Sequence, residues 1–213
     1  MCIRDSINTT PGDPPKARTV PPKETAMKLI YTASQVREAE KPYIEAADYD
    51  GYLMQRAADA VAAEAQELLH GKDKAKILLL IGPGNNGADT IYAGARLSAK
   101  GHSVDAVIFD SSEKNLELIA REGGEGTRVL DPEHALEQLA GYDLTIDGIL
   151  GTGSSGAVRG SAGEYLGVLR AAQLDGKLGA VLAVDTPSGV DNNRGTVHEP
   201  SLLSLIHISE PTR

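Results

Sequence analysis

The chain has 213 residues, 41% of them hydrophobic and 24% charged, enough for one sizeable core in a domain of ordinary size. A net charge of −9 with no cluster of Lys and Arg argues against a nucleic-acid or membrane-surface partner, and no apolar run approaches the roughly 20 residues that span a bilayer. One Phe and no Trp make the core aliphatic, while a single cysteine, Cys2, leaves no disulfide or thiol nucleophile and makes a reducing, cytoplasmic setting the natural one.

Met1 to Ser6 and Ser204 to Arg213 resemble translated sequencing-adapter read-through and are set outside the fold. Residues 7–26 are rich in Pro, Thr and Lys without periodicity, as in a disordered leader, so Met27 is taken as the native start. The expected organisation is a leader over 1–26, a domain over 27–198 that stops short of its last strands, and a tail over 199–213.

Thr32 and Gln35 form a capping-box pair that opens a first helix. A second helix is predicted between Asp50 and His70, with Met54, Ala57, Val61, Ala65 and Leu68 as its apolar stripe and Gly71 as its stop. The run Ile77 to Ile81 suits a parallel strand covered on both faces, and helical character is predicted from Thr90 to Lys100. A further strand runs from Ser103 to Asp110. Helices near Glu113–Glu122, Pro132–Ala140 and Ser161–Leu174 then alternate with strands near Thr127–Leu130, Asp143–Leu150 and Ala180–Asp185. This order, two helices and then alternating strands and helices, predicts an α/β doubly wound sheet.

Between the first strand and its helix lies Gly82-Pro83-Gly84-Asn85-Asn86-Gly87-Ala88-Asp89. A glycine turn at a helix N-terminus offers unpaired N–H groups and the positive end of the dipole, so it reads as a nucleotide-phosphate site. Gly82, Gly84 and Gly87 also match G-x-G-x-x-G, with Asp110 at the end of the next strand, although Pro83 is an odd occupant of a turn that turns its N–H groups to pyrophosphate. The paired amides suit a site that also holds something polar or cationic. Two later segments repeat the design. Asp147 ends a strand ahead of the loop Gly151-Thr152-Gly153-Ser154-Ser155-Gly156-Ala157, and Asp185 ends another ahead of Thr186-Pro187-Ser188-Gly189. In an open parallel sheet these strand ends face one crevice, where Asp89, Asp147, Asp185 and Ser188 converge. His70, His102, His134 and His198 lie far apart without ligand spacing, so zinc is not expected.

The three segments GPGNNGAD, DGILGTG and VDTPSGVD, in this order, resemble the NAD(P)H-hydrate epimerase family, also called the YjeF N-terminal domain. The likeness begins at Met27 and takes in Thr32 to Glu40 and Leu53 to Ala57, and it reaches about His198. It implies a three-layer α/β/α sandwich with a Rossmann-like, mostly parallel sheet preceded by two helices, usually homodimeric, that interconverts the R and S forms of hydrated NADH and NADPH. It also implies that Asn85, Asn86, Gly87, Ala88 and Asp89, with Gly151, Thr152, Gly153, Ser154, Ser155, Gly156, Ala157 and Asp185, bind the hydrated dinucleotide. Potassium is then held by Asn86, Asp147 and Ser188, which offer hard oxygen donors. A fused or separate ADP/ATP-dependent dehydratase is the partner implied.

Ala88 and Thr90 stand where the family usually has glycine, and Gln55 and Ala58 where Glu and Gly are commoner; Ala88 is expected to bring a methyl towards the ligand. Inverting a hydroxyl-bearing carbon beside the ring nitrogen asks for loss and return of water through an iminium-like state, and Asp185 is the carboxylate expected to transfer the proton. Two other readings stay open: a dinucleotide-dependent oxidoreductase, which shares the first turn but needs neither the Asn pair nor the Pro-Ser-Gly turn, and a non-catalytic protein-binding scaffold, whose usual mark is loss of the site residues, although Asn85, Asn86, Asp89, Asp147, Asp185 and Ser188 are all present here.

Overall fold

The computed structural model describes residues 32–109, 113–204 and 206–208. The leader, Asp110 and the start of the likeness at Met27 to Tyr31 lie outside the described residues. Two helices come first, α1 (Ala33–Ile44) and α2 (Tyr52–Leu68). Thr32 opens α1 with the predicted capping box: its N–H donates to Gln35 Oε1 at 2.8 Å while its hydroxyl accepts from the Gln35 N–H at 3.3 Å.

The core is a sheet of six strands: β1 (Lys76–Ile81), β2 (Ser103–Ile108), β3 (Thr127–Val129), β4 (Leu144–Gly148), β5 (Ala180–Val184) and β8 (Ile206–Ile208). All of its pairings are parallel, in the order β3-β2-β1-β4-β5-β8. The chain winds outward from β1 to β3, crosses back to β4, then winds outward the other way. β1 and β4 are therefore neighbours at the reversal, where a doubly wound sheet opens a crevice beyond its carboxyl ends.

Alternation along β1 explains why its sequence is apolar throughout. Ile77, Leu79 and Ile81 enter one core with Val61, Ala62 and Ala65 of α2 and Ile91, Ala93 and Leu97 of α3 (Asn85–Ala99). Leu78 and Leu80 enter the other, with Leu166 and Leu169 of α6 (Gly160–Leu174) and Ala135 of α5 (Pro132–Glu137). The helix α4 (Lys114–Glu122) adds Leu118 and Ile119 to the first core. Helices cover both faces of the sheet, the predicted three layers.

Two expectations shift, the stripe of α2 and the start of α3. The buried stripe of α2 is Ala58, Val61, Ala62 and Ala65, so Met54, Ala57 and Leu68 lie at its margin. Val61 and Ala65 of the expected stripe are buried, Ala58 and Ala62 join them, and Met54 and Leu68 pack against the same core from its edge. Ala58, in place of a glycine, is fully buried, and Gln55 takes the Arg96 guanidinium at 2.8 Å. Helix α3 begins at Asn85 rather than Thr90, so the Asn pair is the first turn of the helix. A short antiparallel pair, β6 (Val190–Asp191) with β7 (Thr196–Val197), closes over a turn in which Asp191 Oδ1 accepts from the Asn193 and Arg194 N–H groups.

The packing does not stop at 198. Leu202 is buried in the second core, Gln173 brackets the Leu203 backbone with bonds of 2.7 and 2.9 Å, and β8 pairs Leu182 with Ile206 and Val184 with Ile208. Among the described residues no helix is long and apolar enough to cross a membrane.

Candidate functional site

The crevice is built from the ends of β1, β4 and β5. At the first, Gly82 donates to the Gly148 carbonyl at 3.2 Å, and a Cβ on Gly82 would collide with the Ile149 carbonyl. A Cβ on Gly87 would strike the Gly82 carbonyl, so both glycines allow strand and helix to meet closely. Gly84 is different. Nothing lies within 4 Å of where its Cβ would be, it caps α3 without a side-chain bond, and it is exposed. Gly84 thus stands open at the positive end of a 15-residue helix, where the first N–H groups lack partners within the helix itself. Asn115 of α4, which the sequence reading passed over, is 1% exposed and holds this turn by donating to the Gly82 carbonyl at 2.7 Å.

Asn86 faces away from solvent. Its Nδ2 donates to the Leu150 carbonyl at 3.2 Å and the Val184 carbonyl at 2.9 Å, tying the start of α3 to the ends of β4 and β5. Asn85 is exposed at the mouth. Ala88 does not face a ligand: its methyl lies in the aliphatic core, and its N–H is taken by the Gly84 carbonyl. A helical position one turn below the mouth points its side chain at the sheet, which a reading of the segment as open loop misses. Thr90, the other replacement, is fully buried and donates to the Asn86 carbonyl at 2.6 Å.

At the end of β4, Asp147 is fully buried and clasped by Ser188 from beyond β5. The Ser188 hydroxyl donates to Oδ1 at 2.6 Å and its N–H to Oδ2 at 2.9 Å, while the Ile149 N–H adds a bond at 3.3 Å. The same hydroxyl accepts from the Leu150 N–H at 3.0 Å. Asn86, Asp147 and Ser188 are thus brought together around the Leu150 peptide. Burial raises the Asp147 carboxyl above its ordinary value, against the Ser188 and Ile149 bonds that lower it.

The loop after β4 folds over this point. Ser154 returns its N–H and hydroxyl to the Gly151 carbonyl at 2.9 and 2.7 Å. Gly151 lies against the Asn86 amide, where a Cβ would not fit. Gly151, Thr152, Ser154 and Gly156 are half-buried, whereas Gly153, Ser155 and Ala157 are exposed, as is Arg159 at the start of α6. Arg37 of α1 reaches this loop, its guanidinium 3.2 Å from where a Cβ of Gly153 would stand.

Asp185 follows the last residue of β5 with φ 62°, in the left-handed region, and the Thr186 N–H bonds back to the Val184 carbonyl at 2.7 Å. Strain of this kind at a strand end aims a side chain out of the sheet and gathers at functional positions. Burial raises the Asp185 carboxyl, opposed by the Thr152 N–H and the Asn86 amide. Asp89, 9% exposed on α3, is pushed up to about 7 by burial and then by the charges of Asp185 and Glu40. Glu40 of α1 is raised in turn by burial and by Asp185. Three carboxyl groups from α1, α3 and the end of β5 therefore share one neighbourhood. Glu40 was absent from the predicted site; its only signal was its place in the helical stretch Thr32 to Glu40, more than forty residues before the turn.

Comparison with known proteins follows the same residues. The family described as YjeF-related protein N-terminus matches residues 51–209. A protein of Microbacterium testaceum named NAD(P)H-hydrate epimerase is 34% identical over 188 residues, covering 87% of this chain and 70% of its own length. The bifunctional NAD(P)H-hydrate repair enzyme Nnr of Corynebacterium glutamicum is 34% identical over 176 residues, 79% of this chain and 29% of that protein. The chain spans about a third of the bifunctional relatives it matches, from 29% to 37% of their length. In the fold alone it is similar to the crystal structure of the yeast protein ynu0, with a TM-score of 0.66 at 20% identity over 84% of this chain and 79% of that one.

Proposed function

The chain belongs to the YjeF-related N-terminal family, and from that premise we propose that it interconverts the R and S forms of hydrated NADH and NADPH. The observation that carries this reading is the meeting of Asn86, Asp89, Asp147, Asp185 and Ser188 in one crevice at the sheet reversal, the residues on which the likeness was drawn. The names of the relatives from Microbacterium and Corynebacterium support it.

In this reading the start of α3 and the glycine loop over 151–157 take the phosphates, while the strained turn presents the Asp185 carboxylate to the hydroxyl-bearing ring carbon. Asp185 accepts the proton of the incoming water and offsets the positive charge of the iminium-like state. The Asn86 amide and Thr152 N–H keep that carboxylate oriented.

The residues fit a potassium ion. Asp147 is a fully buried carboxylate whose bonds come from Ser188 and Ile149, all neutral donors, and among the described residues it forms no ion pair. A buried charge so placed is costly without a counter-ion, and one carboxylate with Asn and Ser oxygens suits a single positive charge. Asn86, Asp147 and Ser188 would hold the ion, which supplies a fixed positive charge that joins the start of α3 to the ends of β4 and β5.

The test is chromatographic. The R and S hydrates of NADPH are separated, one is incubated with the chain in potassium buffer, and its approach to the equilibrium mixture is followed. Acceleration over the buffer blank is expected. No acceleration sinks the epimerase reading; preferential binding of undamaged NAD would then favour the oxidoreductase, and binding of neither the scaffold.

A further inference from the structure

Inversion at one carbon removes a hydroxyl from one face of the ring and returns it to the other, so proton transfer is needed on two faces. Asp185 serves one. Asp89 stands beside it, 9% exposed, and its Oδ1 is buried without a hydrogen-bond partner. A carboxyl oxygen buried in this state is costly unless a ligand supplies a donor or the group holds a proton. Its titratable neighbours are Asp185, at the end of β5, and Glu40, on α1. Among the described residues no Lys, Arg or His forms an ion pair with any of the three. By contrast the site's other buried carboxylate, Asp147, already receives a Ser188 donor on each of its oxygens.

We propose that Asp89 is a second catalytic residue of the epimerisation, the acid that protonates the departing hydroxyl while Asp185 takes the proton of the incoming water; this rests on the epimerase reading above. Asp89 gives its proton to the hydroxyl, the C–O bond breaks with its electron pair leaving on water, and the ring-nitrogen lone pair forms a C=N bond. Water then adds to the other face. Its oxygen forms the new C–O bond, the C=N pair returns to nitrogen, and the surplus proton passes to Asp185. Transfer of that proton back to Asp89, through solvent or across the cluster, restores both groups. Oxidation states do not change and no co-reactant is consumed. Burial and two like charges, which push Asp89 up to about 7, leave it protonated for much of the time near neutrality.

The experiment measures R-to-S interconversion by the full chain and by Asp89→Asn, Asp89→Glu and Glu40→Gln across neutral pH, with affinity for hydrated NADPH measured in parallel by calorimetry. Asp89→Asn should lower kcat by about a hundredfold or more while affinity stays within about threefold, and Asp89→Glu should recover part of the loss. In the unaltered chain the rate should fall as pH rises through about 7. Glu40→Gln should move that fall to lower pH, since it removes one of the charges that raise Asp89.

An Asp89→Asn variant that turns over normally, or that loses affinity with kcat intact, overturns the proposal and leaves the epimerase reading standing. Should the variant not fold, the pH profiles decide: no alkaline fall, or one that Glu40→Gln leaves in place, overturns it equally. Binding of the hydrate by the unaltered chain without any interconversion is the distinct result that removes the epimerase reading and this proposal together.

Discussion

Asp105 and Asp89 are both carboxylates taken out of water, and they are treated in opposite ways. Asp105, in the middle of β2, is fully buried and saturated: the Arg128 guanidinium grips it with bonds of 2.8 and 2.9 Å, the Tyr142 hydroxyl donates at 2.8 Å, and Lys76 Nζ lies 3.8 Å from Oδ2 and 4.5 Å from the centre of the Tyr142 ring. Asp89 has an oxygen with no donor and two carboxyl neighbours. The first arrangement spends polar groups on fastening β3 and the approach to β4 onto β2; its effect on Tyr142 is to raise the phenol, through burial and then the Asp105 bond. The second leaves bonding capacity for something that arrives from outside. Between these two, the state of the carboxylate's partners separates scaffold from site where burial does not.

The contrast can be broken by substitution. The largest effect is expected at Asp185: Asp185→Asn keeps size and hydrogen bonding but removes the proton acceptor, and should slow approach to the R/S equilibrium by about a hundredfold or more while stability and nucleotide affinity change little. Rate and calorimetric affinity measured together decide this, and a normal rate would make Asp185 a positioning group. Asp105→Asn should do the reverse. It weakens the bonds from Arg128, whose side chain is 56% exposed, and the attraction of Lys76, at a cost of about 2 kcal/mol, read from urea unfolding, with kcat per folded molecule unchanged. A loss as small as that of a surface change would mean that the network contributes no more than exposed ion pairs do.

The smallest effect sharpens the comparison most, because its sign is unusual. The folded-state pKa of Asp89 is raised above the unfolded value near 3.9, to about 7. Between those values the folded state binds more protons, so the group's stabilising contribution is present at low pH and is lost as pH rises through about 7. Asp89→Asn should therefore be the more stable protein above that range, by at least about 1.4 kcal/mol, the worth of one pKa unit, and its advantage should shrink towards pH 5. Urea unfolding of both proteins across this range checks it. An advantage independent of pH would show that Asp89 does not titrate as its surroundings require.

Legibility in the sequence followed the distance over which each feature is specified. The strand-turn-helix at Ile77 to Asp89, the strand-end carboxylates Asp147 and Asp185, and Ser188 were readable because a few adjacent residues define them. The three layers were readable because β1 is apolar without alternation and α2 and α3 are apolar with it. What escaped depends on meetings between distant segments. Glu40 reaches the site only because α1 lies over the crevice, and Asn115 only because α4 approaches the Gly82 turn. His102 reads as an isolated histidine, yet it is 4% exposed, accepts from the Ala75 N–H at 3.1 Å and meets Gln66, and burial lowers its pKa. The start of α3 was misjudged because Asn and Gly are poor helix formers, and the tertiary contacts of Asn86 override that weakness.

The backbone at Asp185 also limits what the genetic code can do there. A φ of 62° is comfortable for Gly, Asn and Asp and poor for most other residues. From an Asp codon, single-nucleotide changes reach Asn and Gly, which keep the turn and lose the carboxylate, and Glu, which keeps the carboxylate and strains the turn. Ala, Val, His and Tyr, the remaining neighbours, lose the carboxylate and fit the turn poorly. No one-step replacement preserves both geometry and charge, so under the catalytic role proposed for Asp185 the position has no neutral path away from Asp, and drift at this codon is visible to selection at its first step.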